Sequence, residues 1–233
     1  MKTDRAREHL DSLKTEIEVF KTSKSHRIAR ERDVKNQRYI LRIRIADVPD
    51  RIPLIAGDFI NCLRSSLDHL VWSLAKLTKP YPRGTQFPIL EVKNEKTFDQ
   101  ATKGVPTEAR RIIESLQPFR VGQRLLKSHL LWRLNKLCNI DKHRRIPTHG
   151  DVSEILFPDL SREDMHLVEH DDKSMTVSVP LYLESKMRVE PDASYNLFFG
   201  DLSEGIKCDV AGLEDMYKYV SERVIPQFAR FFR

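Results

Sequence analysis

The stretch from Ile52 to Thr78 constrains this chain more than any other. On a wheel turning about 100° per residue, Ile52, Phe59, Leu63, Leu67, Leu70, Leu74 and Leu77 fall on one stripe. Such a stripe demands burial, so a long helix should organise a helical core. Pro49 and Pro53 punctuate its start, Asp50 stands where an N-cap would, and Lys79-Pro80-Tyr81-Pro82 stops it. The opposite stripe holds Asp58, Asn61, Ser65, Asp68, His69 and Trp72, with Arg64 on its margin. A solvated face is normally filled with Lys and Glu, which form helix well and hydrate cheaply. Short hydrogen-bonding side chains and one large aromatic suit a packed polar interface or a pocket instead.

Around this helix the pattern is mixed. Asp4 to Thr22 reads as an amphipathic helix, with Leu10, Leu13, Ile17 and Phe20 at three- and four-residue steps. Ser23 to Lys35 is strongly charged and reads as a loop or solvated extension. Tyr39 to Ile45 alternates apolar with basic from Leu41 onward, as a half-buried strand does. Phe87-Pro88-Ile89 should plug back into the core. Pro106 to Leu116 forms a short helix, and Leu125 to about Lys142 another, with Pro147 as its latest end. Met165–Glu169, Met175–Leu183 and Tyr195–Phe199 read as strands, and Leu213 to Phe232 closes the chain as a helix interrupted at Pro226. The expectation is one α+β domain over residues 1–233. Its helical core would occupy about 50–146, with a small, mostly antiparallel sheet and the closing helix within about 151–233.

Composition narrows the class. With 40% hydrophobic and 32% charged residues the chain is an ordinary globular one. No apolar run approaches the roughly 20 residues of a membrane-spanning helix, and the charged amphipathic start has no signal-peptide core. A cytoplasmic location with no membrane partner is expected. Three widely spaced cysteines, Cys62, Cys138 and Cys208, are odd in number and do not suggest a disulfide framework or a CxxC zinc site. A net charge of +6 suits an anionic partner, though acids are interspersed almost throughout. There is no glycine-rich phosphate loop, GxSxG or HExxH motif.

A second polar cluster ends the helix beginning near Leu125. Leu126, Leu130, Leu134 and Leu137 form its buried line, and Asp141 and Arg144 continue it. A carboxylate there must be paired or hydrogen-bonded, by Arg64, Arg144 or a backbone cap. Asn135, Asn139, Lys142 and His143 complete the cluster, and its cations also suit the negative helix end. It is either a cap with a salt-bridge network or a source of phosphate contacts and a second acid–base group. A metal site from Asp68, His69, Asp141 and His143 is disfavoured, because neighbouring helical positions diverge by about 100°. No metal and no cofactor are expected.

The blocks GDF-x-NCLRSSLDHLVWSLA, FPI, IIESLQPF and LNKLCNIDKHR, over roughly residues 50–146, resemble a widespread family of uncharacterised bacterial proteins. Arg64 to His69 also resembles the Arg-x4-His pattern of the HEPN superfamily of helical proteins. It departs from the fuller pattern, with Ser65 where Asn or Asp is usual and Val71 where Tyr often stands. The resemblance implies a metal-independent endoribonuclease of toxin–antitoxin or antiviral systems, working as a homodimer through the 52–78 helix on RNA. An inhibiting or activating protein partner would go with that role. In it His69 would move protons for attack of the 2′-hydroxyl and Arg64 would hold the phosphate, with Asp68 beside them. Ser65, Asn61, Trp72, Asn139, Asp141, Lys142, His143 and Arg144 would bind substrate or support these groups. Arg64 and His69 lie about 140° apart around one helix, so convergence would need two copies. The alternative is a non-catalytic module, either a dimerising adaptor or a binder of nucleic acid or nucleotide, whose polar stripe is an interface.

Overall fold

The computed structural model describes residues 2–23, 26–156, 160–171, 176–187 and 192–232. Its elements run α1 (Lys2–Thr22), β1 (His26–Asp33), β2 (Arg38–Ile45), α2 (Arg51–Lys76), α3 (Glu95–Ala101), α4 (Thr107–Ser115), α5 (Leu130–His143), β3 (Thr148–Leu156), α6 (Arg162–Met165), β4 (Glu169–Asp171), β5 (Thr176–Pro180), β6 (Asp192–Phe199), β7 (Cys208–Asp209) and α7 (Val210–Lys218). The class is α+β. One sheet has four antiparallel strands in the order β1-β2-β5-β4, and β3-β6-β7 make a second. Contacts gather the chain into two compact units, Met1–Glu16 with Asp50–Thr148 and Phe199–Arg233, and Ile17–Pro49 with His149–Phe198. Among the described residues no helix is long and apolar enough to cross a membrane.

The first unit is helical. The stripe of α2 is buried from Ile52 through Phe59, Leu63, Leu67, Leu70 and Leu74, while Leu77, just past the last turn, is half exposed. It packs on α5, whose Leu131, Leu134 and Leu137 are fully buried, and α5 in turn meets α7. Asp50 does not cap α2: its own backbone is already helical at φ −51°, and its carboxylate pairs with Arg145. The helix expected from Leu125 starts at Leu130. Before it, 3₁₀ turns at Pro118–Val121 and Gln123–Ser128 flank Gly122 at φ 76°, and extended His129 breaks the path. The His129 Nδ1 accepts the Leu131 N–H at 3.3 Å, capping α5. Leu126 is buried all the same, so of the expected line Leu126, Leu134 and Leu137 are buried, whereas Leu130, at the first position of α5, is half-buried and Leu131 takes its place in the core. Helix α3 was not expected; it is too short to show a period and is fixed by Asn94 accepting from the Thr97 N–H at 2.9 Å. Phe87 and Pro88 are buried as the plug reading required.

The closing segment is helical throughout but changes pitch. After α7 comes π-type winding at Tyr219–Val224 and 3₁₀ winding at Ile225–Phe232. Pro226 offers no N–H and its ring would strike the preceding turn of an α-helix. Changing the pitch keeps Val220, Val224 and Phe228 buried across it.

The second unit is built on the four-stranded sheet. One face carries Tyr39, Leu41, Val177 and Val179, all buried, and packs with Leu183 and Met187 of a 3₁₀ turn at Leu181–Met187. The charged stretch read as a loop is largely strand β1, paired with β2 from His26↔Ile45 to Asp33↔Arg38; residues 24 and 25 lie outside the described residues. As an edge strand β1 is wetted on its outer side and tolerates charge that an inner strand would not. Its turn is held by Asp33, whose carboxylate accepts from the Asn36 N–H at 3.0 Å and Nδ2 at 2.8 Å. The strand expected at Met165–Glu169 holds instead the last residue of α6, a helix started by a Ser161–Asp164 capping box, and the turn after it at His166 and Leu167, and β4 begins only at Glu169. The next expected strand begins at Met175, outside the described residues, and ends at Pro180 before the 3₁₀ turn. Strand β3 was not foreseen.

Candidate functional site

The polar face of α2 divides into three neighbourhoods. In the first, Arg64 and Asp68 stand one turn apart and join at 2.6 Å through Nη1 and Oδ1. Arg64 Nη2 donates to the Phe87 carbonyl at 2.8 Å, and the Phe87 N–H donates to the same Asp68 Oδ1 at 2.9 Å. Both polar backbone groups of Phe87 are thereby satisfied while its ring is fully buried. A plug entering an apolar core carries a peptide that must be hydrogen-bonded, and this ion pair answers both ends of it. The Arg64 side chain is only 11% exposed, against 35% for Asp68.

The second neighbourhood joins α2 to α5. Asn61 Nδ2 donates to Asp141 Oδ2 at 2.6 Å, and Cys138 Sγ donates to Asn61 Oδ1 at 3.4 Å. The Asp141 carboxylate lies over Gly57, where a Cβ would sit 2.4 Å from Oδ1; the glycine makes room for the carboxyl group. Burial, helped by the charge of Asp58, raises the Asp141 pKa above the usual carboxylate range against the lowering effect of the Asn61 bond. Burial likewise pushes the Cys138 thiol up, against Lys142 and Arg64, which disfavours the thiolate form. The expected partners of Asp141 were Arg64, Arg144 or a backbone cap. The partner is Asn61, because Arg64 is held by Asp68 and Phe87 and Arg144 pairs with Asp201.

The third neighbourhood contains His69. It is exposed and lines a largely apolar groove of about 480 Å³ with Lys2, Thr3, Ser66, Leu70, Ser73 and the closing segment at Ile225, Pro226, Ala229 and Phe232. The Ser66 hydroxyl is spent on the Leu63 carbonyl at 2.6 Å. Trp72 is 43% exposed, with Lys76 Nζ 5.1 Å above its ring, and Ser65 is half-buried.

Arg64 and His69 therefore serve different surroundings, as their angle on the helix requires. The end of α5 does not gather around either of them. Asn139, Lys142 and His143 are exposed, and Arg144 and Arg145 reach Asp201 and Asp50. Among the described residues no group of three or more His, Cys, Asp or Glu side chains is placed to hold a metal ion. What the sequence reading missed is the Phe87 peptide as the partner of Arg64, and the closing segment as the wall beside His69. Both come from distant parts of the chain and leave no local signal. No family model, curated protein or solved structure matches the chain.

Proposed function

We propose that this chain is an RNA-binding module in which the polar stripe of α2 is structural and interfacial rather than a complete catalytic centre. One observation carries this reading: Arg64 and Asp68, two of the three residues expected to perform the cleavage, are both committed to the backbone of Phe87. An arginine that is 11% exposed and bonded to a carboxylate and a carbonyl would have to leave both to grip a phosphate. The net charge of +6 supplies the attraction to a polyanion.

The second reading is a HEPN-like, metal-independent endoribonuclease completed by a second copy of the chain across α2. Exposed His69, on a groove that Thr3 and Ser73 also line, favours it. An imidazole is the side chain most often used for general acid–base work. Its single-chain limits are the separation from Arg64 and the engagement of Arg64 itself.

One experiment separates the two. Purified protein is incubated with mixed RNA in EDTA, wild type beside His69→Ala and Arg64→Lys. The binding-module reading expects RNA to be retained uncut by all three proteins. Cleavage by wild type, lost in folded His69→Ala, overturns it in favour of the nuclease.

A further inference from the structure

The positive charge of this chain is concentrated on one hairpin. Residues 26–45, strands β1 and β2 with their turn, contain seven Arg or Lys against two Asp or Glu, a net of +5, leaving +1 for the other 213 residues. Six of the seven are arginines. Arginine presents a planar fork that grips phosphate oxygens in pairs and is more weakly hydrated than lysine.

The register shows how these arginines are spent. Tyr39 and Leu41 point into the core of the unit, so Arg38, Ile40, Arg42 and Arg44 share the opposite face with their partners Asp33, Glu31, Ala29 and Arg27. Towards the turn this face is neutralised. Arg42 holds Glu31 at 3.0 Å, Arg38 holds Glu169 at 2.8 Å, and Asp33 closes the turn. At the far end Arg27 and Arg44 stand directly opposite one another, both exposed, with no acid between them. Neither makes an ion pair or side-chain hydrogen bond among the described residues. Asp171 shares the face one row further on, opposite Thr176, but it is two strands from β2, roughly 10 Å by strand spacing. Like charges directly opposite on a sheet are destabilising, so this pair costs the fold something and returns nothing within it.

We propose that the outer face of this hairpin, centred on Arg27 and Arg44 with Arg42 beside them, is a docking surface for the phosphate backbone of RNA. Arg27 and Arg44, directly opposite in the register and unpaired among the described residues, can offer two forks to phosphate oxygens, and a ligand phosphate would relieve their mutual repulsion. Among the described side chains of the hairpin there is no exposed aromatic ring for base stacking, since Tyr39 is buried. Recognition is therefore of the backbone, independent of sequence and steeply dependent on salt. An anionic membrane is the poorer fit. Among the described hairpin side chains Val34, in the turn, is the one large apolar group that is exposed, and interfacial membrane binding draws on apolar residues.

The proposal rests on the RNA-binding reading for its choice of polyanion, and the test keeps the two apart. Binding of a fluorescein-labelled single-stranded RNA by the full chain is followed by anisotropy across a salt series, with phosphatidylserine-containing vesicles as a second arm. Arg27→Gln with Arg44→Gln is compared with Lys96→Gln with Lys103→Gln, an equal charge loss at exposed positions of the other unit. Losing two phosphate contacts should lower the slope of log affinity against log salt by about 1.4 and cost roughly tenfold in affinity near 0.15 M salt. The control pair should cost much less. Arg27→Glu should lose RNA affinity while raising Tm, because it places an acid opposite Arg44, and a merely misfolded variant could not do both. RNA affinity kept by the hairpin variant, or lost equally in the control, overturns the hairpin assignment and leaves the RNA-binding reading intact. No RNA affinity in the wild type overturns both, and hairpin-dependent vesicle binding would then reassign the surface to lipid.

Discussion

Arg64 and Arg27 are the same side chain in opposite circumstances. Arg64 belongs to a motif that a reader of the sequence stops at, and it is buried and bonded to Asp68 and the Phe87 carbonyl. Arg27 sits in a stretch readily dismissed as a solvated loop, and it is exposed, opposed by Arg44 and unpaired among the described residues. A guanidinium recognises phosphate only if the fold has not already used its donors. The helix face of α2 uses its charges to hold a loop in a core, whereas the far end of the hairpin face leaves Arg27 and Arg44 without an acid partner among the described residues.

Breaking the contrast from its buried side should give the largest effect. Arg64→Ala leaves the Phe87 carbonyl without its donor and Asp68 without its counter-charge, at a cost of about 3 kcal/mol in urea unfolding. Arg64→Lys should recover only part, because one ammonium cannot reproduce the fork. A fully stable Arg64→Ala would free Arg64 for a functional role and remove the basis of the comparison.

A smaller effect is expected one turn away. Asn61→Ala removes the donor to the Asp141 carboxylate and should cost about 1–2 kcal/mol. The pH dependence carries a definite sign. The folded state raises the Asp141 pKa, so it binds more protons than the unfolded chain over a window that opens near the ordinary carboxylate value and extends upward. Stability is lost as pH rises through that window. Asp141→Asn removes the titration, so wild type should lose ground to this variant between acid and neutral pH. Parallel stability curves for the two proteins would show that Asp141 is not held in a desolvated site.

The smallest effect belongs to the hairpin. Arg27→Gln relieves a like-charge cross-strand pair and should leave the unfolding free energy unchanged or raise it slightly, by a few tenths of a kcal/mol. A clear loss of stability would mean that Arg27 is spent structurally after all, and the contrast with Arg64 would close.

Much of the molecule was written in periodicity. The leucine stripe of α2, the amphipathic α1 and the alternation in β2 follow from repeats of 3.6 and 2 residues, and they suffice for an α+β class. So was the divergence of Arg64 and His69, which is a property of one helix and needs no partner to compute. Strand β1 was not legible, because an edge strand keeps its charges in water and so erases the apolar alternation by which strands are recognised. Nor was the start of α5 at Leu130, since 3₁₀ turns can bury Leu126 as well as an extra helical turn would.

Tertiary structure alone decided which polar groups are used. That Asp141 meets Asn61, that Arg64 closes on Phe87 and that Arg144 goes to Asp201 are matches between residues 80, 23 and 57 positions apart. Local sequence determines where a side chain stands on its own helix or strand, because backbone geometry repeats. Which donor finds which acceptor depends on how distant segments pack, and that pairing determines whether a charge is structural or remains available to a ligand.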